Sequence, residues 1–569
     1  MRFRTQNEDR LTKPVPPSVP PDDTPDERSV VRTRPGGAKP INAAPLGLIA
    51  LASGLIYLLI FTLPFPLHRL YATIPPVDYT KLTNYSPTGL VLYVLGIAAL
   101  FWLYLQAIRL TQPPLTTNSP NDPPYAPRTT HHTRFILTSS ILLAFVSLFA
   151  YPLTAIDLFI YAIRTRGWAL YGLNPLATAP ELLPTGDPWL GLAAEWVDAA
   201  SPYGPAWEWL SLGAFYLSGG GFLAHLFALK IIAVLAYLGC VWLVYDILRQ
   251  LRPAWAAVGT IALAWNPLVI LESAQNGHND ILMTLFLLGA VWAYVAWLTA
   301  KDRNPKCILD SYPLWPALIC LCLALSILVK FVTVVTVPFF LIALAATQPT
   351  WSRRIIMAGL SGLTIALLVW LPLWQLWPGW DHWAVLQAGS QAGRSLLALL
   401  VLGLRGWLGT NLAFDLSRNL LLVGVGLVYL YYLAQSLRAV VAGHWSLVTG
   451  HWSLVTNPEQ PITNYLILPV FFTLFWYVLL AAPVFHAWYL LWFFPLAPLL
   501  LPNKRALRAG IVFSCTALLV IPYFETVRVW YPFLLQNHFL GHLIGVPLLI
   551  VPPALAALWP IRPGPTSEV

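Results

Sequence analysis

Charge is scarce in this chain. Asp, Glu, Lys and Arg make up 10% of its 569 residues against 57% apolar residues, and so little charge cannot cover a water-soluble globule of this length. Together with a mean hydropathy of +0.66, that scarcity points to an all-α polytopic membrane protein. Cysteine is scarce too. Of the five, Cys240, Cys320, Cys322 and Cys515 fall in hydrophobic stretches and Cys307 in a short basic loop, which argues against a disulfide framework. Cys320-x-Cys322 lacks the partners and spacing of a metal site. The two halves show no evident repeat, which weakens a transporter reading. The net charge of +9 comes from Lys and Arg clustered between hydrophobic spans, where they act as orientation signals; no nucleic-acid partner is implied.

What the chain has in abundance is apolar runs. A bilayer-crossing helix needs about 20 apolar residues, and roughly fourteen stretches approach that length. They lie near 45–64, 87–108, 135–153, 222–248, 255–271, 281–299, 313–329, 332–346, 355–375, 419–437, 463–482, 487–501, 507–523 and 541–558. Segment 206–218 is shorter and reads as a helix lying at the interface. Residues 1–44 are Pro-rich and polar and are expected to be a disordered cytoplasmic tail. The first apolar stretch starts too late for a cleaved signal peptide and reads as a retained anchor. Four regions follow: the tail 1–44, two helices and their loop 45–133, a core 134–505 with an external loop 154–221, and C-terminal helices 506–569.

With the tail placed inside, the cytoplasmic loops carry Arg109, Arg128 and Arg134; Arg249 and Arg252; Lys301, Arg303 and Lys306; Arg353 and Arg354; Arg438; Lys504, Arg505 and Arg508; and Arg562. The opposite face holds Asp157, Asn276-Gly277-His278-Asn279-Asp280, Trp380-Asp381-His382-Trp383, His486-Ala487-Trp488-Tyr489 and Glu525. Every chemically interesting cluster therefore falls on one side of the membrane.

Asp157 opens the largest external loop, where Glu181, Asp187, Glu195 and Asp198 outnumber Arg164 and Arg166. An acid at the mouth of a span is costly to keep near hydrocarbon and reads as functional. Tyr161 stands one helical turn further on and Thr165 one turn beyond it, which sets a carboxylate and a phenol on one face. Trp168, Trp189, Trp196, Trp207 and Trp209 supply aromatic planes to a substrate or, as most of them read, form an interfacial aromatic belt. Further on, Glu272, Gln275, His278 and Asp280 crowd one short segment at membrane depth. Capping of the next helix accounts for Asp280, but one cap does not explain the rest, since each polar group pays a desolvation cost. Lys330 sits between two short apolar helices with no acid near it in sequence. It either snorkels at a helix end or serves as a cation for a phosphate, with Arg394, His382 and His486 as weaker candidates for that duty.

Taken together, Ile156-Asp157-x-x-x-Tyr161, Gly172-Leu173-Asn174-Pro175, Tyr203-Gly204-Pro205, Asn266-Pro267 with Asn276-Gly277-His278-Asn279-Asp280, and Trp488-Tyr489 form a pattern. It resembles the C-type (GT-C) glycosyltransferases that use polyprenyl-phosphate sugars. Within them it is most similar to bacterial mannosyltransferases using polyprenol-phosphate mannose, including the alpha-1,6 enzymes of actinobacterial envelopes. The resemblance covers about residues 135–500. The Pro-rich tail, the two spans before the Asp157 loop and the tandem heptads Gly443–Thr449 and Gly450–Thr456 stand outside the pattern.

The resemblance implies a GT-C-like bundle of about 12–14 transmembrane helices in the plasma membrane, with the N-terminus cytoplasmic and the active site extracytoplasmic. It implies inverting transfer of a sugar, mannose in the nearest relatives, to a glycan or glycolipid acceptor. Asp157 would be the general base; Lys330, His278 and Arg394 would bind the donor phosphate; and Tyr161, Asn279, Asp280, Glu272, Tyr203, His486 and Tyr489 would contact sugar or acceptor. The lipid-linked donor is a substrate, and no cofactor is implied beyond it. No Asp-x-Asp tripeptide, the usual metal site of nucleotide-sugar enzymes, occurs in the chain. The rival readings are a lipid-linked sugar flippase or transporter and an oligosaccharide ligase.

Overall fold

In hydrocarbon every backbone N–H must find its partner within its own segment, so long apolar runs fold as helices. The computed structural model describes residues 44–74, 76–113, 126–192, 195–303, 314–380, 383, 385, 391–441 and 462–560. The tail to residue 43, Cys307, Asp381, His382 and the tandem heptads lie outside the described residues. Among the described residues the architecture is all-α, and the only strand-like pairings are isolated bridges at Pro66–Ala150 and Gly393–Val484.

Each of the fourteen expected stretches is helical, yet among the described residues nine helices are long and apolar enough to cross a membrane, or ten if a bent pair counts as one span. The bent pair is Pro253–Ala264 with Pro267–Gln275, angled at 54°. Its break sits at Asn266-Pro267, where proline has no N–H to continue the ladder and the Asn266 Oδ1 accepts from Val269 N at 3.2 Å to start the second piece. In the helix Ala126–Leu148 the apolar part is Arg134–Leu148, and three more expected spans are short: Leu314–Val329, Phe331–Ala346 and Ala487–Leu500. The last of these is almost wholly buried and runs as 3-10 turns, Ala487–Trp492 and Phe494–Leu500, with Pro495 and Pro498 within it. That buried piece belongs to the protein interior, whereas Arg134–Leu148 leaves Ile141, Leu142 and Phe145 exposed. Leu396–Leu408, interrupted by Gly403, Arg405 and Gly406, is a further apolar helix that hydropathy missed.

Exposure sorts the helices into an outer and an inner set. Trp351–Gln375 and Thr410–Arg438 are 11% buried and present apolar side chains outward, whereas Asp280–Ala300 and Thr463–Ala481 are 67% buried. The chain between the third and fourth apolar helices adds Asp157–Tyr171 and Pro205–Leu217 at one end of the bundle. Pro205–Leu217 is amphipathic, burying Trp207, Glu208 and Ser211 while leaving Tyr216 and Leu217 exposed. The expected aromatic belt is only partly one: Trp207 and Trp189 are core residues, Trp207 edge-on to Tyr161 at 5.2 Å and Trp189 against Phe222 at 4.6 Å.

The bundle has two chemically distinct poles. Phe222–Leu251 carries Arg249 in its last turn, Asp280–Arg303 has Asp280 in its first, and Lys504–Trp530 runs from a basic start toward Glu525. At the basic pole Arg252 binds the Leu501 carbonyl, Arg508 those of Ala556 and Trp559, and Arg505 that of Ala557. Arginines on terminal carbonyls of helices satisfy groups that have no intrahelical partner.

Candidate functional site

The opposite pole gathers three buried acids, Asp157 from one stretch of sequence and Glu272 and Asp280 from another. Asp157, Glu272 and Asp280 are 6%, 0% and 0% exposed, and their surroundings differ. Asp280 begins its helix, but its carboxylate is not spent on capping as its position suggested: Oδ1 accepts from Lys330 Nζ at 2.6 Å and from the Trp492 indole. A partner fifty residues away outcompetes the local cap because a buried carboxylate gains more from a full charge than from a backbone dipole. Glu272, on a π-helical turn Leu271–Gln275, accepts from Thr154 at 3.1 Å and from Asn276 at 2.7 Å. Asp157 has no hydrogen bond or ion pair among the described residues.

Lys330 is therefore not a snorkelling helix end. It stands in extended conformation, φ −151 and ψ 121, between Leu314–Val329 and Phe331–Thr336. Its ammonium lies 5.3 Å from the ring centres of Tyr203 and Tyr489 and 5.2 Å from that of Trp492, inside an aromatic cage. One of its three donors goes to Asp280, leaving two for a ligand. Tyr203 reaches this cage because Gly204 packs on the broken helix, its N–H donating to Val329 O at 3.1 Å. A Cβ at Gly204 would sit 2.1 Å from Leu328 O. Gly204→Ala is expected to cost at least the about 1–3 kcal/mol of overpacking and to lower the thermal midpoint of the detergent-purified protein; an unchanged midpoint would refute this packing role.

Tyr161 and Tyr203 meet hydroxyl to hydroxyl at 3.3 Å, with rings edge-on at 5.2 Å. Thr165 turns away from the site, bonded to Tyr161 O and to Ser211. Arg164, buried one turn beyond Tyr161, donates to the Ala199 and Ala200 carbonyls and so fixes the chain entering Tyr203. Sequence reasoning treated it only as a balancing charge.

Beside this cage lies a histidine–tryptophan stack. His278 and His486 flank Trp488 with ring centres at 4.3 and 4.2 Å. His278 Nδ1 stands 3.5 Å from Glu272 Oε2, but burial drives the His278 pKa down to about 3, so it faces the site as a neutral imidazole. A neutral ring can donate a hydrogen bond to a phosphate but supplies no cation. Asn279 is fully buried, and neither of its amide atoms has a partner among the described residues. Arg394 marks the rim, paired with Glu525, and with Thr154, His486 and Trp488 it lines a small pocket otherwise walled by Phe485, Ala487, Ala517, Leu518, Val520 and Ile521. Its φ of +53 is left-handed, a conformation costing a non-glycine residue about 1–3 kcal/mol, held by the bonds of Gly393 to Pro483 and Phe485.

The residues singled out from sequence thus converge on one pole: Asp157, Tyr161, Tyr203, Asp280, Lys330 and Tyr489 around the cage, and Glu272, His278, His486 and Arg394 beside it. Burial lifts the Asp157 carboxyl to about 7, with Glu195 raising it further and Lys330 and Arg164 pulling against them. Two residues escaped the sequence reading. Lys230, fully buried in Phe222–Leu251, donates to Ala150 O at 2.5 Å and thereby holds the strand-like turn leading to Asp157; a lysine inside an apolar helix was its signal. Trp492 carried no signal, lying in an apolar run. Among the described residues no group of three His, Cys, Asp or Glu side chains is placed to hold a metal ion.

A family model described as alpha-(1->6)-mannopyranosyltransferase, N-terminal domain, matches residues 62–346, half of the chain. The match contains Asp157, Tyr161, Tyr203, Glu272, His278, Asp280 and Lys330, while Arg394, His486 and Tyr489 lie beyond it. No curated protein matches the chain. Among solved structures, an oligosaccharyltransferase of Archaeoglobus fulgidus in its apo form is similar over 75% of this chain, at 12% identity and a TM-score of 0.35, and this chain spans 55% of that one.

Proposed function

This chain belongs to the alpha-(1->6)-mannopyranosyltransferase family and is a membrane glycosyltransferase; on that premise we propose that it moves mannose from a polyprenyl-phosphate donor to a hydroxyl of an extracytoplasmic glycan or glycolipid, with inversion. The observation that carries this reading is the contrast among the three buried acids. Glu272 and Asp280 are engaged by neighbours, and Asp157 alone keeps its carboxylate free.

In the proposed step a carboxylate oxygen of Asp157 accepts the proton of the acceptor hydroxyl as its oxygen attacks the anomeric carbon. The bond from that carbon to the phosphate oxygen breaks on the opposite face, and the electron pair leaves with the lipid phosphate. Attack from the face opposite the leaving group through an oxocarbenium-like state inverts the centre. Lys330, with two donors free, and Arg394 at the rim stabilise the departing phosphate; neutral His278 adds a hydrogen bond. Asn279, with unpartnered amide atoms, and Tyr161 orient sugar or acceptor hydroxyls. A lipid phosphate lies at the membrane surface, and the site lies at the pole opposite the arginine-rich helix ends. The positive-inside rule puts that basic pole in the cytoplasm, which supports an outward-facing site.

Membranes containing the protein should transfer label from polyprenyl-phosphate mannose to an added acceptor, and the new linkage should be alpha when the donor is beta. Equal labelling from a nucleotide-activated mannose, with lipid-carrier synthesis blocked, would sink the donor assignment; retained anomeric configuration would sink the inversion.

A further inference from the structure

Five tryptophans, Trp370, Trp374, Trp377, Trp380 and Trp383, recur every three or four residues across the end of the helix Trp351–Gln375. Trp370 meets Trp374 and Trp377, with ring centres at 5.6 and 5.9 Å, and Trp377 meets Trp380 and Trp383 at 4.8 and 5.3 Å. The last ring meets Phe331 at 5.2 Å, and Phe331 follows Lys330. An aromatic path therefore runs from the surface to the residue that follows Lys330 in the chain.

The path is built rather than incidental. Trp377-Pro378-Gly379-Trp380 has proline and glycine at the central positions of a turn, with Gly379 at φ +85, which folds the two flanking indoles together. The helix end is clamped by the external loop: Asn174 Nδ2 donates to Leu376 O at 3.0 Å, and Leu176 packs with Leu373 and Leu376 in a small core of their own. Trp380 nonetheless remains 65% exposed, and the buried indole N–H of Trp383 has no partner among the described residues.

An interfacial belt spreads its rings around the bundle at the headgroup level; here they form one cluster that ends on Phe331, next to Lys330 in the chain. Trp377, Trp380 and Trp383 lie past the last helical residue, outside the spanning stretch, where water-borne ligands arrive. A flat ring with an N–H at its edge, one ring set edge-on beside another, suits the C–H face and the hydroxyls of a pyranose better than an isoprenoid chain. We infer that Trp377, Trp380 and Trp383 form an acceptor subsite that stacks a pyranose of the acceptor glycan behind the residue being modified. The assignment rests on the transferase reading above.

The test titrates full-length protein in nanodiscs, without donor, with alpha-(1->6)-linked mannohexaose while indole fluorescence is read. It then compares mannobiose and mannohexaose as acceptors. The wild type should bind the hexaose and prefer it, and Trp380→Ala should cut the hexaose-to-biose ratio of kcat/KM about tenfold, the loss of one stacking contact. Trp351→Ala, exposed at the other end of the same helix, should keep the wild-type ratio. An unchanged ratio in Trp380→Ala, an equal loss in Trp351→Ala, or an effect that follows the donor's polyprenyl length would overturn the subsite. A wild type that binds the hexaose without transferring mannose sinks the transferase reading alone; one that transfers without length preference sinks the subsite alone.

Discussion

Asp157→Asn is expected to lower mannosyl transfer by about 10²–10⁴-fold, the usual worth of a positioned general base, while the protein still folds. The amide keeps the shape and cannot take the proton. The pH dependence follows from the raised pKa. A base must be ionised, so kcat/KM of the native protein should climb with pH through about 7 and level off above it. The sign for stability is opposite. Because the folded state holds this proton more tightly than an ordinary aspartate of 3.8, the folded state is favoured at low pH, and that contribution fades as pH rises from 3.8 to about 7. Asp157→Asn, which never ionises, should therefore unfold at a higher temperature than the native protein at pH above 7 while being the slower enzyme, a trade of stability for activity. Retained transfer, or an acid limb that persists unchanged in the residual activity of the variant, would remove Asp157 from the base role.

Breaking the Lys330–Asp280 pair is the second large effect. Lys330→Ala leaves Asp280 in a fully buried site with only the Trp492 indole, and removing one member of a buried pair costs about 3–5 kcal/mol. Replacing both, Lys330→Met with Asp280→Asn, removes the stranded charge and should restore most of the thermal midpoint. Transfer should stay at least about 10²-fold down, since the phosphate then departs without its cation, and the weakened step should show in donor more than acceptor dependence. If the double variant recovers activity along with stability, the pair is a structural strut and Lys330 does not bind the phosphate.

Much of the site was legible because the chemistry of the membrane makes it so. Asp157, the Glu272–Asp280 segment and Lys330 stood out because polar groups in apolar surroundings are costly and need a reason. What the pattern could not assign was partnership. Asp280 looked like a helix cap and Lys330 like an isolated cation, each from its own neighbours in the chain; the bundle joins them at 2.6 Å. Arg394 read as a weaker candidate for the phosphate and is paired with Glu525. Arg164 and Lys230 went unassigned because what they hold, carbonyls of distant turns, has no sequence signature.

The fold shows the same division. Composition and apolar run length determined by themselves that this is an all-α polytopic membrane protein, and charge asymmetry separated a basic from a reactive pole, because hydration and backbone satisfaction are local costs. Tertiary structure alone decided which apolar runs are outer helices, such as Trp351–Gln375, and which are inner ones, such as Asp280–Ala300, since that depends on what each run packs against. It also decided that, of three buried carboxylates, Glu272 and Asp280 are engaged and Asp157 is not, because pairing is set by where separate helices meet.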